Sequence, residues 1–187
     1  IETTNYFSDT GKNDPVSLDL AVVCIYDSAD DSYKSFTQKE LSNLWPILEK
    51  ADLLIGFNSE HFDIPLLNKY YSGDLSKIRG VDLLKEVKKV LGRRIKLDTL
   101  AAATLNRQKT GDGTESVRWW RAGEIQKVID YCIEDVRITK ELYEYALKNG
   151  HLKYRDLKVI KEISLDTSNW EKITEEGETK LTHTLPF

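Results

Sequence analysis

The sequence has no methionine and only two cysteines, Cys24 and Cys132. Cys24 falls in an apolar, strand-like run and Cys132 on the apolar side of a helical pattern, so they read as buried reduced thiols and not as a disulfide framework. That usage points to the cytoplasm. No stretch approaches the roughly 20 consecutive apolar residues of a membrane span, and no signal-peptide pattern occurs, so no membrane partner is expected. Basic charge is not in excess either. Lys and Arg number 27 against 31 Asp and Glu, a net charge of -4, which argues against a generally basic coat for nucleic acid, although acids that hold metal ions would be neutralised. Also missing are a Gly-rich phosphate loop, zinc-ligand spacings, an internal repeat and a long linker. What remains is one α/β domain, since 187 residues with 40% apolar and 10% aromatic content suffice for one sizeable core without staples. A chain that begins at Ile1 without a methionine reads as lacking its natural start.

The longest unbroken period runs from Gly123 to Leu147. Ile125, Val128, Ile129, Cys132, Ile133, Val136, Leu142, Tyr143, Ala146 and Leu147 recur at three- and four-residue steps and form one face of a helix. At roughly 100° per residue, Asp130, Glu134, Arg137, Lys140, Glu141, Glu144 and Lys148 project to the other side, whereas Asp135 projects into the apolar arc. An ionised carboxylate there is costly unless a cation or strong donors meet it, so Asp135 is either a buried ion-pair partner or a metal ligand. Tyr131 lies one turn before it, at the edge of the same arc.

In chain order, Ser17 to Tyr26 reads as a central strand covered on both faces, Ser32 to Thr37 as a shorter strand, and Gln38 to Lys50 as an amphipathic helix with Leu41, Leu44, Trp45 and Leu48 inward. Asp52 to Phe57 reads as a buried parallel strand. The helix after it places Pro65 in its first turn and turns Leu66, Leu67, Tyr70 and Tyr71 inward, with Asp63 one turn earlier on the same side, either as an N-cap or as a second inward acid. Val81 to Leu91 and Leu97 to Leu105 read as helices separated by the basic stretch Gly92 to Lys96, with Asp82 and Asp98 as caps. Asn106 to Glu115 reads as a loop, Leu152 to Leu165 as a strand pair or edge ribbon, and Asp166 to Phe187 as a loose tail. Strands alternating with helices give an α/β sheet with helices on its faces. The domain reading is residues 1–150, with a first strand cut short at Ile1, followed by an extension over 151–187.

Three acidic elements distant in sequence carry the functional signal. Glu2 ends a first strand, Asp63 heads a helix after a central strand, and Asp135 faces inward from a late helix. Carboxylates drawn to one point repel unless divalent ions neutralise them, and hard oxygen donors suit Mg²⁺ or Mn²⁺. Ile1-Glu2-Thr3 looks like the tail of an Asp-Ile-Glu-Thr motif. Gly56-Phe57-Asn58-Ser59-Glu60-His61-Phe62-Asp63-Ile64-Pro65-Leu66 looks like a second motif and Tyr131-Cys132-Ile133-Glu134-Asp135-Val136 a third. In this order they resemble the DEDD exonucleases of the ribonuclease H-like superfamily, in the subgroup with a tyrosine in its last motif. The Leu97 to Leu105 helix and the passage from Trp119-Trp120 resemble a bacterial and phage branch of such domains, sometimes fused to helicases. The resemblance covers about residues 1–150.

It implies a ribonuclease H-like mixed central sheet flanked by helices on both faces. It implies Glu2 and Asp135 as ligands of two Mg²⁺ or Mn²⁺ ions, Asp63 acting on the second metal through water, and Tyr131 orienting the attacking water, four residues from Asp135 and so on the same helix side. Thr3, Asn58 and Phe62 would touch the substrate; Asn58 reads equally as a turn residue. His61 is expected to face solvent. Arg93, Arg94 and Lys96, or Lys109, Arg118 and Arg121, would hold phosphates or be solvated surface, and Trp119 and Trp120 would stack a base or pin the last helix. The implied activity is 3′-5′ exonucleolytic hydrolysis of single-stranded DNA or RNA, with a helicase or another replication or repair protein as partner. The Asp expected before Ile1 is absent, so this chain by itself is expected to degrade single strands feebly or not at all. Two other readings stay open: a nucleic-acid-binding or assembly module without turnover, and an endonuclease or resolvase, which the Tyr131–Asp135 pairing disfavours.

Overall fold

The computed structural model describes residues 1–107 and 115–172. Lys109 and the expected loop around it, together with the tail beyond 172, lie outside the described residues. The chain runs β1 (Glu2–Thr3), α1 (Phe7–Thr10), β2 (Leu20–Asp27), β3 (Ser32–Thr37), α2 (Leu41–Leu48), β4 (Leu54–Gly56), α3 (Asp63–Asn68), β5 (Gly80–Asp82), α4 (Leu83–Leu91), α5 (Leu97–Thr104), α6 (Glu115–Arg121), α7 (Ile125–Asn149), β6 (His151–Asp156) and β7 (Val159–Ser164). This is a mixed α/β architecture consistent with the ribonuclease H-like expectation. Among the described residues, however, its ladders fall into three sheets and not into one continuous sheet. They are antiparallel β1-β2-β3, parallel β4-β5 and antiparallel β6-β7.

β2 explains why its sequence is apolar without alternation. Val23 joins a core with Leu44 and Leu66, Ile25 packs against the same cluster, and Val22 and Cys24 meet Val128 and Cys132 of α7 on the other face. A strand buried on both faces has no position to give to water. β4 is different from its expected burial: Ile55 is exposed. Leu54 packs into the cluster around α2 and α3, while Leu53 and Phe57 pack against the one around α5 and α7, and the strand is too short to bury the residue between them.

The α7 helix is the longest element and ends on Gly150, whose φ of 71° is the left-handed cap geometry that glycine adopts without a Cβ penalty. Its buried stripe is Val128, Cys132, Ile138, Leu142, Tyr143 and Ala146. The polar side is not open solvent. Arg137 lies over the Tyr33 ring at 5.2 Å and Lys140 over Tyr26 at 4.7 Å, while Arg107 pairs with both Glu134 and Glu141. These contacts fix the helix rotation, and with it where Tyr131 and Asp135 point. Residues beyond 150 enter the same core, since Leu152, Ile163, Leu165 and Trp170 share it with Leu142 and Ala146, and Trp170 stacks on Tyr143 at 5.5 Å.

Val81 and Asp82 belong to a strand and not to the expected helix, which starts at Leu83. Asp82 is the N-cap of α4, accepting from the backbone N–H groups of Leu84 and Lys85, and it also accepts from those of Asn58 at 2.8 Å and Glu60 at 3.1 Å. One buried carboxylate thereby caps a helix and holds the turn that leads to Asp63. Asp82→Ala should cost about 2 kcal/mol, because it removes the cap and leaves buried N–H groups unpaired; chemical denaturation reads this, and an unchanged midpoint refutes the dual role.

Candidate active site

The β1 strand lies beside β2 with Glu2 opposite Val22, and α7 packs across β2. Glu2 and Asp135 are thereby brought from opposite ends of the chain into one electrostatic neighbourhood. Burial pushes Glu2 up to about 7, against the opposing pull of the Ile1 amino group and a hydrogen bond from Ser116. Asp135 also rises to about 7, through burial first and then the charge of Glu2, opposed by the Ile1 amino group, with smaller upward contributions from Asp98 and Glu134. Among the described residues no Lys or Arg side chain pairs with Asp135.

Asp63 is the first residue of α3, whose N-cap position is Phe62 with no side-chain cap bond, so the capping alternative for Asp63 is not what its carboxylate does. It accepts instead from the Ile1 amino group at 3.3 Å. Burial works against charge on that amino group, yet the acidic neighbours Cys132, Asp63 and Glu2 outweigh it and raise its pKa. The segment before Asp63 turns sharply: Asn58 has a φ of 66°, and a Cβ on Gly56 would lie 2.5 Å from the Ser59 side chain. Glycine is required there by space.

Tyr131 stands one turn before Asp135, with Trp119 against its ring at 5.9 Å, edge to face. Trp119 and Trp120 both pack against the cluster of Val128 and Cys132, which fits the pinning role. A pocket of about 170 Å³ beside Glu2 is lined by Thr3, Tyr6, Phe7, Phe62 and Val117 among others, with Phe7 and Phe62 edge to face at 6.3 Å. Thr3 is buried and its hydroxyl donates to the Asn5 carbonyl. Asn58 accepts from Arg94 at 2.6 Å. His61 is exposed, as expected, and so are Lys96 and Arg118. Arg121 is engaged with Asp9 and lies over the Tyr6 ring at 5.2 Å.

Asp98 and Ser116 were not legible as site residues. Asp98 is not the cap of α5; that position belongs to Lys96, and Asp98 adds its charge to the surroundings of Asp135. Its place one residue inside the helix start was the available signal. Ser116 gave none, because only folding puts α6 beside β1.

The acids are hard oxygen donors that fit a divalent cation chemically, and among the described residues no Lys or Arg side chain pairs with Glu2, Asp63 or Asp135. They are not drawn together as ligands: among the described residues no three His, Cys, Asp or Glu side chains form a metal-holding group. The charge of Asp63 reaches Glu2 and that of Glu2 reaches Asp135.

A family model for the RNase_H superfamily matches residues 15–147, and the chain belongs to that superfamily. This is a nuclease-type fold whose substrate is nucleic acid, and ribonuclease H-like nucleases generally use divalent metals. No curated protein and no solved structure matches the chain. Among the described residues no helix is long and apolar enough to cross a membrane.

Proposed function

We propose that the protein is a metal-dependent 3′-5′ exonuclease of the DEDD type with a motif tyrosine, removing nucleotides from single-stranded DNA or RNA ends in the cytoplasm, in the service of a helicase or another replication or repair protein. The observation that carries this reading is the pair of half-buried carboxylates Glu2 and Asp135, each pushed up to about 7, with no side-chain cation paired to either among the described residues. A fold selected only for stability has no use for two such charges. Two Mg²⁺ or Mn²⁺ ions, when bound, would supply an activated water and neutralise charge on the attacking and leaving oxygens. Glu2 and Asp135 would hold them directly and Asp63 through water.

The chain's own groups do the rest. The Tyr131 phenol orients the attacking water, and Trp119 fixes the phenol ring. Asn58, steadied by Arg94, and Phe62, set against Phe7, receive the terminal nucleotide, while Thr3 shapes the pocket wall. Tyr131→Phe should slow turnover about 100-fold, within the range for loss of a positioned proton-handling group, and leave Mg²⁺ affinity within about twofold. Turnover equal to the parent's removes Tyr131 from the mechanism.

A second reading, a nucleic-acid-binding or assembly module without turnover, is favoured by the spacing of the carboxylates outside a ligand group. End-labelled DNA and RNA oligonucleotides incubated with Mg²⁺, Mn²⁺ or chelator separate the two. A metal-dependent ladder shortening from the 3′ end supports the exonuclease; nucleic-acid binding with neither a ladder nor Mg²⁺ binding at the acids supports the module, and cleavage of a circular single strand would mean endonuclease action.

A further inference from the structure

The β6-β7 hairpin is anchored at its base and bare at its end. Leu152 and Ile163, which face each other across the ladder, are fully buried, whereas Leu157 is 92% exposed, Val159 59% and Ile160 50%. Asp156 pairs with Val159, so Leu157 and Lys158 alone form the turn. Leu157 has a φ of 55°, a strained setting for a bulky side chain where glycine or asparagine is at ease. Neither turn geometry nor core packing accounts for a leucine there.

The surroundings of that apolar tip are basic, in a chain whose net charge is -4. Lys153 and Lys161 are matched by Glu162 and Asp156, but among the described residues Arg155 and Lys158 make no ion pair. Arg93 lies over the ring of Tyr154 on β6 at 5.5 Å, and its neighbour Arg94 reaches Asn58 in the turn before Asp63. Positive charge therefore runs from the candidate active site to the hairpin.

We propose that the hairpin is a wedge for duplex DNA: its aliphatic tip seats against the terminal base pair of a double-strand to single-strand junction, and Arg93, Arg155 and Lys158 hold the flanking phosphates. Aliphatic side chains that unstack base steps, gripped on either side by Lys and Arg, are a recurrent way of deforming DNA. A single strand is a poorer fit, because its binders present aromatic platforms, and Tyr154, the hairpin's phenol ring, is buried. Duplex RNA is poorer too, since it is recognised mostly by shape and by 2′-OH and phosphate contacts across its minor groove, whereas apolar wedging of base steps is a device of DNA binders. This inference rests on the nuclease reading only for its purpose, which is to deliver a frayed 3′ end to the carboxylates.

The test uses the whole chain in chelator, so that no strand is degraded, with fluorescence anisotropy on labelled junction DNA, single-stranded DNA and duplex RNA. Leu157→Asn keeps a residue that tolerates positive φ and removes the wedge; Arg155→Glu with Lys158→Glu reverses the grip. Each should weaken junction binding about tenfold or more while changing single-strand binding less than about twofold, with an undiminished melting temperature for Leu157→Asn. Equal weakening on both DNA probes, no weakening on the junction, equal binding of duplex RNA, or a loss of self-association in the Leu157 variant would each overturn the proposal. Digestion of single strands with Mg²⁺ is measured alongside, so that a metal-dependent 3′ ladder supports the exonuclease reading while the junction result stands or falls by itself.

Discussion

Asp135→Asn is expected to abolish Mg²⁺ binding and reduce turnover about 1,000-fold or more, while leaving the melting temperature in metal-free buffer unchanged or higher. Charge stabilisation by a metal is worth several kcal/mol in the transition state, and about 4 kcal/mol is three decades in rate. The stability half of the expectation comes from burial and from Glu2, which push the Asp135 carboxyl up to about 7. Above that pH the ionised group is largely desolvated, and among the described residues no side-chain cation pairs with it. The isosteric amide removes both the desolvation and the repulsion. Isothermal titration with Mg²⁺, a labelled-oligonucleotide assay and thermal melting of the same two proteins check it. A marked fall in metal-free stability would make Asp135 one half of a structural pair and end the catalytic assignment.

In chelator, stability should fall as pH rises from about 4 to about 7, opposite to what depressed carboxylates give. Glu2 goes from an ordinary 4.5 and Asp135 from 3.8 to about 7 on folding. Between the unfolded and folded values the native state keeps protons that the unfolded chain has released, so each group favours the unfolded chain increasingly until pH 7 and no further above it. Taken singly the shifts amount to roughly 3 to 4 kcal/mol each at about 1.4 kcal/mol per unit; the shared repulsion and partial solvent screening bring the pair to about 4 kcal/mol. The Ile1 amino group, whose pKa is raised, stays protonated in both states below about pH 7 and adds no slope there. A few millimolar Mg²⁺ should flatten the profile by binding the ionised carboxylates of the native state. Denaturant midpoints across this range, with and without Mg²⁺, decide it. A rise with pH, or a slope that Mg²⁺ leaves untouched, would show that these carboxylates are not a cation site.

The parts of this protein that sequence alone determined are those in which chain spacing and face are the same thing. A strand apolar at successive positions, as in β2, has to be covered on both sides, and a helix period as long as that of α7 dictates which residues turn inward, including the misplaced Asp135. The motif turn was legible for a local reason, since Gly56 and Asn58 meet steric and backbone needs set by their immediate neighbours. Tertiary structure decided what depends on residues far apart in the chain. It split the expected single sheet into three ladders, exposed Ile55 at a strand too short to be covered, and gave Asp82 the turn before Asp63 as well as its own helix. It also placed Asp98 and Ser116 beside acids that are distant from them in sequence, took Asp63 out of a capping role, and left Leu157 bare at the end of a hairpin. Electrostatic neighbourhood and solvent exposure are set by how elements pack, and packing is a property of pairs of elements that no single stretch of sequence contains.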